Sequence, residues 1–117
     1  MRCGTDILKI ARIEKSLKSE SFFKRVFSEE ERKLIKEKGV PTAAANFAAK
    51  EAFAKALGTG VRGFSLSEVE VLRDEKGKPY FKLSGNALIL SKGLSFDVSL
   101  SHSEEDALAF VIAWEEK

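Results

Sequence analysis

The 117-residue chain has one cysteine, one histidine, one tryptophan and two prolines. A lone Cys3 cannot close an internal disulfide, which places the chain in a reducing compartment, the cytoplasm, and excludes a cross-linked secreted scaffold. No apolar run approaches the roughly 20 residues that cross a bilayer. The first residues, MRCGTDILKIARIEKSL, mix charges into their apolar positions, so they form no secretory hydrophobic segment and no membrane partner is expected.

Hydrophobic residues make up 44% of the chain and charged residues 32%, the balance of a soluble globular protein of about one domain, 1–117. The net charge of +2 is unevenly spread. Residues 1–38 hold eleven Lys and Arg against seven Asp and Glu, and the rest of the chain is net acidic. That basic third is either a solvated helix face or a surface that steers an acidic partner. Nucleic-acid binders show denser Lys/Arg stripes and a pI well above the 8.7 of this chain, so nucleic acid is not expected as a partner.

The period of the hydrophobic pattern changes along the chain. Arg2 to Ile10 reads as a strand, with Cys3 and Thr5 on one face and Gly4 and Asp6 on the other. Helical spacing follows through Ile13, Leu17, Phe22, Phe23, Val26 and Phe27. Ser28 and Glu31 form a capping-box pattern that starts a new helix running to Gly39. Pro41 and Thr42 open the next helix and Gly58 closes it. SEVEVLRD and PYFKLSG read as a hairpin, NALILSKG as a short helix ending at Gly93, and LSFDVSLS as an alternating strand. ALAFVIAW is apolar on both faces, as in a strand covered on both sides. The pattern specifies an α+β fold, an antiparallel sheet packed with a long central helix, helices mostly early and strands mostly late.

The stretch NFAAKEAFAKALGTG raises the functional question. Glu51 and Lys55 fall about 40° apart on one helix face, and Lys50 about 100° away from Glu51. On a solvated face Glu51 and Lys55 are an i,i+4 pair worth about 0.2–0.5 kcal/mol. The surrounding alanines and Phe53 leave no broad polar face, however, and a carboxylate there needs a lysine, a metal or a phosphate-bound cation to offset its desolvation.

FAAKEAFAKALGTG resembles the signature of the bacterial holo-acyl-carrier-protein synthases, the small 4'-phosphopantetheinyl transferases. Gly4-Thr5-Asp6, DEKGKPYF and DVSLSHSEEDALAFVIA resemble that family's other segments, in the same order. The resemblance implies transfer of 4'-phosphopantetheine from coenzyme A to a serine of apo-acyl carrier protein in fatty acid biosynthesis, with release of adenosine 3',5'-bisphosphate. It implies Mg²⁺ held by Asp6 and Glu51, with Lys55 contacting phosphate or aiding proton departure. Lys50 is assigned either to a coenzyme A phosphate or to a structural bridge. Arg62, Lys78, Pro79, Ser101, His102 and Ser103 match coenzyme A contacts. Arg12 matches a residue that docks the carrier, and Lys15, Lys18, Lys24 and Arg25 extend that basic set, which Ser21 and Phe22 interrupt. The resemblance also implies a homotrimer with its active sites between subunits, where ALAFVIAW packs on a neighbour or else under its own chain. The proton acceptor stays open between Glu31 and Glu51, each acting through water. Two other classes are a catalytically idle binder of coenzyme A or nucleotide, and a basic interaction module. The triad Asp6, Glu51 and Lys55 disfavours the first, because binding alone does not require a metal pair. A Cys3–His102 nucleophile pair is rejected, since Cys3 points away from the Asp6 face and no nucleophile elbow surrounds it.

Overall fold

The structure, a computed structural model, describes residues 1–116. Strand β1 (Arg2–Lys9) leads into α1 (Ile10–Ser16), α2 (Glu20–Val26), α3 (Glu29–Lys38) and the long α4 (Val40–Leu57). A 3-10 turn (Leu66–Glu68) then precedes β2 (Val69–Arg73) and β3 (Pro79–Leu83), followed by α5 (Gly85–Leu90), β4 (Leu94–His102) and β5 (Asp106–Glu115). The α+β class holds, but the strands form two antiparallel sheets rather than one: β1-β5-β4 and the hairpin β2-β3. The first strand pairs with the last, from Arg2 opposite Ala113 to Lys9 opposite Asp106. Such a pairing closes the chain on itself and leaves no local trace in the sequence.

The helical stretch before Ser28 is two helices rather than one. Leu17 ends α1, and the Ser19 side chain accepts the Phe22 N–H at 3.2 Å to begin α2. Serine side chains around Leu17 and Lys18 offer the backbone an alternative to helix, which breaks the run. The capping box at Ser28 forms as its spacing implies: Glu31 N–H donates to Ser28 Oγ and Ser28 N–H to Glu31 Oε1. Gly58, at φ 88°, closes α4 in the left-handed conformation.

Helix α4 is the centre of the molecule. Ala43, Ala44, Ala48, Ala49 and Ala52 are fully buried, and their small side chains let β1 and β5 lie close against the helix. Gly4 sets the closest approach. A Cβ there would lie 2.1 Å from the Ala52 carbonyl oxygen and 2.7 Å from the Ala56 nitrogen, so only glycine fits. Gly4 and Leu8 are buried against α4 and Asp6 is half-buried on the same face, the alternation read from the sequence. At the other flank Phe53 stacks among Phe64, Phe81 and Phe96, with ring centroids 5.8, 5.3 and 4.8 Å away, and ties the hairpin to the three-stranded sheet.

β5 is not covered on both sides by its own chain. Ala107, Ala109, Val111 and Ala113 are buried under α4, whereas Leu108, Phe110 and Trp114 on the opposite face are 40, 41 and 38% exposed. Ile7 of β1, 65% exposed, continues this open apolar face.

Candidate active site

The three charges of α4 divide into two unlike groups. Lys50 is fully buried, as is Glu31. Lys50 Nζ donates to Glu31 Oε1 at 2.7 Å, to the Val69 carbonyl at 2.6 Å and to the Leu66 carbonyl at 2.8 Å. All three ammonium hydrogens are therefore spent inside the protein. Glu31 Oε2 accepts from Asn46 Nδ2 at 3.0 Å and from the Val71 N–H at 3.3 Å. Burial pushes the Glu31 carboxyl above its usual range and the Lys50 ammonium below its own, while their contact opposes both shifts. The complete set of partners holds the pair charged. Of the two roles the sequence left open for Lys50, the structural bridge is the one that forms, with no hydrogen left for coenzyme A, and of the two open proton acceptors Glu31 has no solvent access.

Glu51, one residue further on, faces the other way. It is half-buried beside Asp6, and burial pushes its carboxyl above the usual range. The Asp6 charge raises it further, while Lys55 and Arg12 act in the opposite direction. Lys55 Nζ donates to the Thr5 carbonyl at 2.8 Å and to Asp6 Oδ1 at 3.3 Å. Its side chain stays 56% exposed, and that of Asp6 19%. The Gly4 contact explains the convergence: it brings strand and helix backbones together, so Asp6 arrives beside residues 45 and more positions away. Among the described residues no cluster of three or more Asp, Glu, His or Cys side chains forms. Two repelling carboxylates fit Mg²⁺, which takes one or two protein carboxylates and completes its shell with water and phosphate oxygens. Cys3 is exposed on the outward face of β1, opposite to Asp6.

The other sequence-identified residues lie elsewhere. His102 ends β4, with Ser101 and Ser103 exposed on either side, and its Nδ1 lies 3.3 Å from the Ser103 carbonyl. Together with Pro79, the first turns of α4 and Arg73, it lines a surface hollow of about 220 Å³. Lys78 Nζ donates to Asp97 Oδ1 at 2.8 Å, joining the hairpin turn to β4. His102 pairs with Ala107 across β5, and Leu8 of β1 pairs with Ala107 from the far side, so β5 separates His102 from the strand that carries Asp6. Arg62 is exposed in the loop after α4, with its N–H on the Gly60 carbonyl. Sixteen helical residues separate Thr42 beside His102 from Gly58, about 24 Å of axis. One chain alone does not bring Arg62 and His102 to a common point.

Arg12 is exposed on α1 near enough to Glu51 to lower its pKa, so the basic surface begins at the carboxylate pair. Lys15 is exposed on the same helix, but α1 ends at Ser16 and Lys18 lies in the following turn, off that helical face. Lys24 pairs with Glu20 at 3.1 Å, and Arg25 donates to Ser21 Oγ at 3.4 Å, both on α2. Sequence reading missed Asn46 and Arg73. Asn46 is a fully buried amide within an alanine run, and that anomaly was its only signal.

Comparison with known proteins gives this geometry a context. The family model of the 4'-phosphopantetheinyl transferase superfamily matches residues 2–113. The holo-[acyl-carrier-protein] synthase of Clostridium beijerinckii is 45% identical over 114 residues, 93% of each chain. The Helicobacter pylori holo-[acyl-carrier-protein] synthase, solved in complex with coenzyme A, superposes at a TM-score of 0.86 with 34% identity, covering 96% of this chain and 99% of its own. The Bacillus anthracis enzyme, solved in complex with coenzyme A (3',5'-ADP), superposes at 0.83 with 36% identity, covering 99% and 96%. Fold, sequence and family signature agree over almost the whole length, and the chain belongs to the 4'-phosphopantetheinyl transferase superfamily, as a holo-[acyl-carrier-protein] synthase.

Proposed function

We propose that the enzyme moves 4'-phosphopantetheine from coenzyme A to a serine hydroxyl of apo-acyl carrier protein, in a Mg²⁺-dependent reaction that serves fatty acid biosynthesis in the cytoplasm. One observation carries this reading: Asp6 and Glu51, distant in sequence, stand together at a half-open surface with Lys55 between strand and helix. In the reaction the serine oxygen forms a bond to the diphosphate phosphorus that bears pantetheine. The bond from that phosphorus to the bridging oxygen breaks, and adenosine 3',5'-bisphosphate leaves. The serine proton passes to solvent or to a carboxylate.

Asp6 and Glu51 hold Mg²⁺, which neutralises diphosphate charge when bound. Lys55, anchored to the Thr5 carbonyl, keeps an exposed ammonium at the same place and contacts a phosphate oxygen. Of the two carboxylates, Glu51 has access to water and passes the serine proton on through it, a role closed to the fully buried Glu31. Arg12 and Lys15 dock the acidic carrier beside the carboxylates, and Lys18, Lys24 and Arg25 extend the field that attracts it.

The working unit is a homotrimer with each site between two subunits. Two features support it. The outer face of β5 is apolar and uncovered. The hollow at His102 and Pro79 also lies beyond β5 from Asp6, so a donor reaching both uses two copies. His102, Lys78, Pro79, Ser101, Ser103 and Arg62 then supply coenzyme A contacts across the interface.

Incubation with coenzyme A, Mg²⁺ and apo-acyl carrier protein is expected to add one phosphopantetheine to the carrier by intact mass, and EDTA to abolish the gain. No gain with several bacterial carriers overturns the reading. A monomer in light scattering at micromolar concentration overturns the shared site.

A further inference from the structure

Helix α5 is more apolar than the body it packs on can use. Its Ala87 is buried, but the next three residues, Leu88, Ile89 and Leu90, are 54, 69 and 43% exposed. Successive helical residues turn by about 100°, so these side chains sweep about 200° of surface, more than one neighbouring layer covers. A hollow of about 580 Å³ lies beside them, lined by Leu83, Leu88, Ile89 and Leu94 together with Lys92 and Glu116. On the Leu90 side a second hollow, of about 380 Å³, adds Glu115 and Arg2. This apolar ground lies where Leu94 opens β4 opposite Glu115, apart from Leu108 and Phe110 on the outer face of β5. A contiguous apolar patch with a polar border marks a contact with another body.

The charges around the patch select that body. Among the described residues neither Lys92 nor Glu115 forms an ion pair. Glu116 accepts from the Ser95 hydroxyl, and Arg2 Nη1 donates to the Leu57 carbonyl at 3.1 Å. Glu115 and Glu116 oppose an anionic lipid surface or an acidic protein. A patch with a cation and two carboxylates around an apolar centre is instead complementary to itself. A two-fold axis at α5 sets Lys92 of each copy on the carboxylates of the other, and every contact is made twice.

We infer that two copies of the chain pair through α5, Ile89 of each entering the hollow beside α5 of the other. Together with the trimer proposed above, this pairing gives a hexamer.

Light scattering of the whole protein at micromolar concentration tests the pairing by mass. A hexamer is expected. I89D is expected to halve the mass to that of the trimer, with turnover unchanged, since Ile89 lies outside the site. K92E is expected to do the same by facing like charges, and K92E/E115K/E116K to restore the hexamer, which separates lost pairing from lost fold. A wild-type trimer, or a hexamer that I89D leaves intact, overturns the pairing and leaves the trimer standing. A wild-type dimer that I89D splits supports the pairing and overturns the trimer; a monomer overturns both. A wild-type trimer that floats with phosphatidylglycerol vesicles, when I89D does not, makes the patch a lipid contact and overturns the pairing.

Discussion

Two lysine–carboxylate pairs leave adjacent turns of the same helix and do opposite work. Lys50 and Glu31 meet at 2.7 Å with both side chains fully buried; Lys55 and Asp6 meet at 3.3 Å with the lysine mostly in water. In the first pair every donor and acceptor is matched, so nothing is left for a ligand. In the second, Asp6 also repels Glu51, and the excess negative charge awaits a cation from outside. The lesson is that completeness of partners, rather than the presence of charge in an alanine helix, separates a closed structural pair from one left open to a ligand.

The largest expected effect tests the buried side. Lys50→Met or Glu31→Gln alone strands a buried charge or its partners and should cost about 3–5 kcal/mol by denaturant unfolding, while the double replacement should recover a large part. An additive double mutant would break the comparison. On the reactive side, Glu51→Gln or Asp6→Asn should lower turnover about a hundredfold or more, near 2.7 kcal/mol of barrier, with the unfolding midpoint little changed. Normal turnover in Glu51→Gln would remove it from the metal site. Gly4→Ala should destabilise by about 1–3 kcal/mol through the clash with the Ala52 carbonyl, and should also lower turnover because Asp6 shifts away from Glu51. Lys55→Met should change stability by less than about 1 kcal/mol, the range of an exposed pair, yet reduce turnover.

The smallest effect concerns pH. Glu51 has a raised folded pKa, so its ionisation opposes folding. The stability it contributes is fully present below the ordinary carboxylate pKa and is lost as pH rises through the raised folded value. In EDTA, Glu51→Gln should therefore exceed the wild type at pH 7 by no more than about 0.5 kcal/mol, given solvent screening. The difference should vanish as pH falls below the ordinary carboxylate range. Wild type more stable than Glu51→Gln at pH 7 would mean that Glu51 makes a favourable contact in the metal-free fold.

Local signals in the sequence corresponded to local structure. The Ser28–Glu31 box, the glycine after Leu57 and the alternation of Gly4 and Asp6 against Cys3 and Thr5 all appear as read, because each depends on neighbours within one helical turn or one strand. The break at Leu17 was missed because serines signal cap and helix with similar weight. Lys50 was the harder case. Its spacing showed only that it leaves Glu51's face, and nothing along the chain pairs it with Glu31, Leu66 and Val69.

By itself the sequence determined the helical and strand periods and the uneven charge, which follow from residue type and spacing acting over a few ångströms of chain; the chemistry it pointed to came from the resemblance of its motifs to a known family. Only the tertiary structure decided which charges are spent and which are free. Whether Lys50 or Lys55 meets solvent depends on what packs beside each, namely the hairpin over one flank of α4 and the Gly4 strand along the other. Burial and hydrogen-bond closure are properties of distant segments brought into contact, and no reading of adjacent residues contains them.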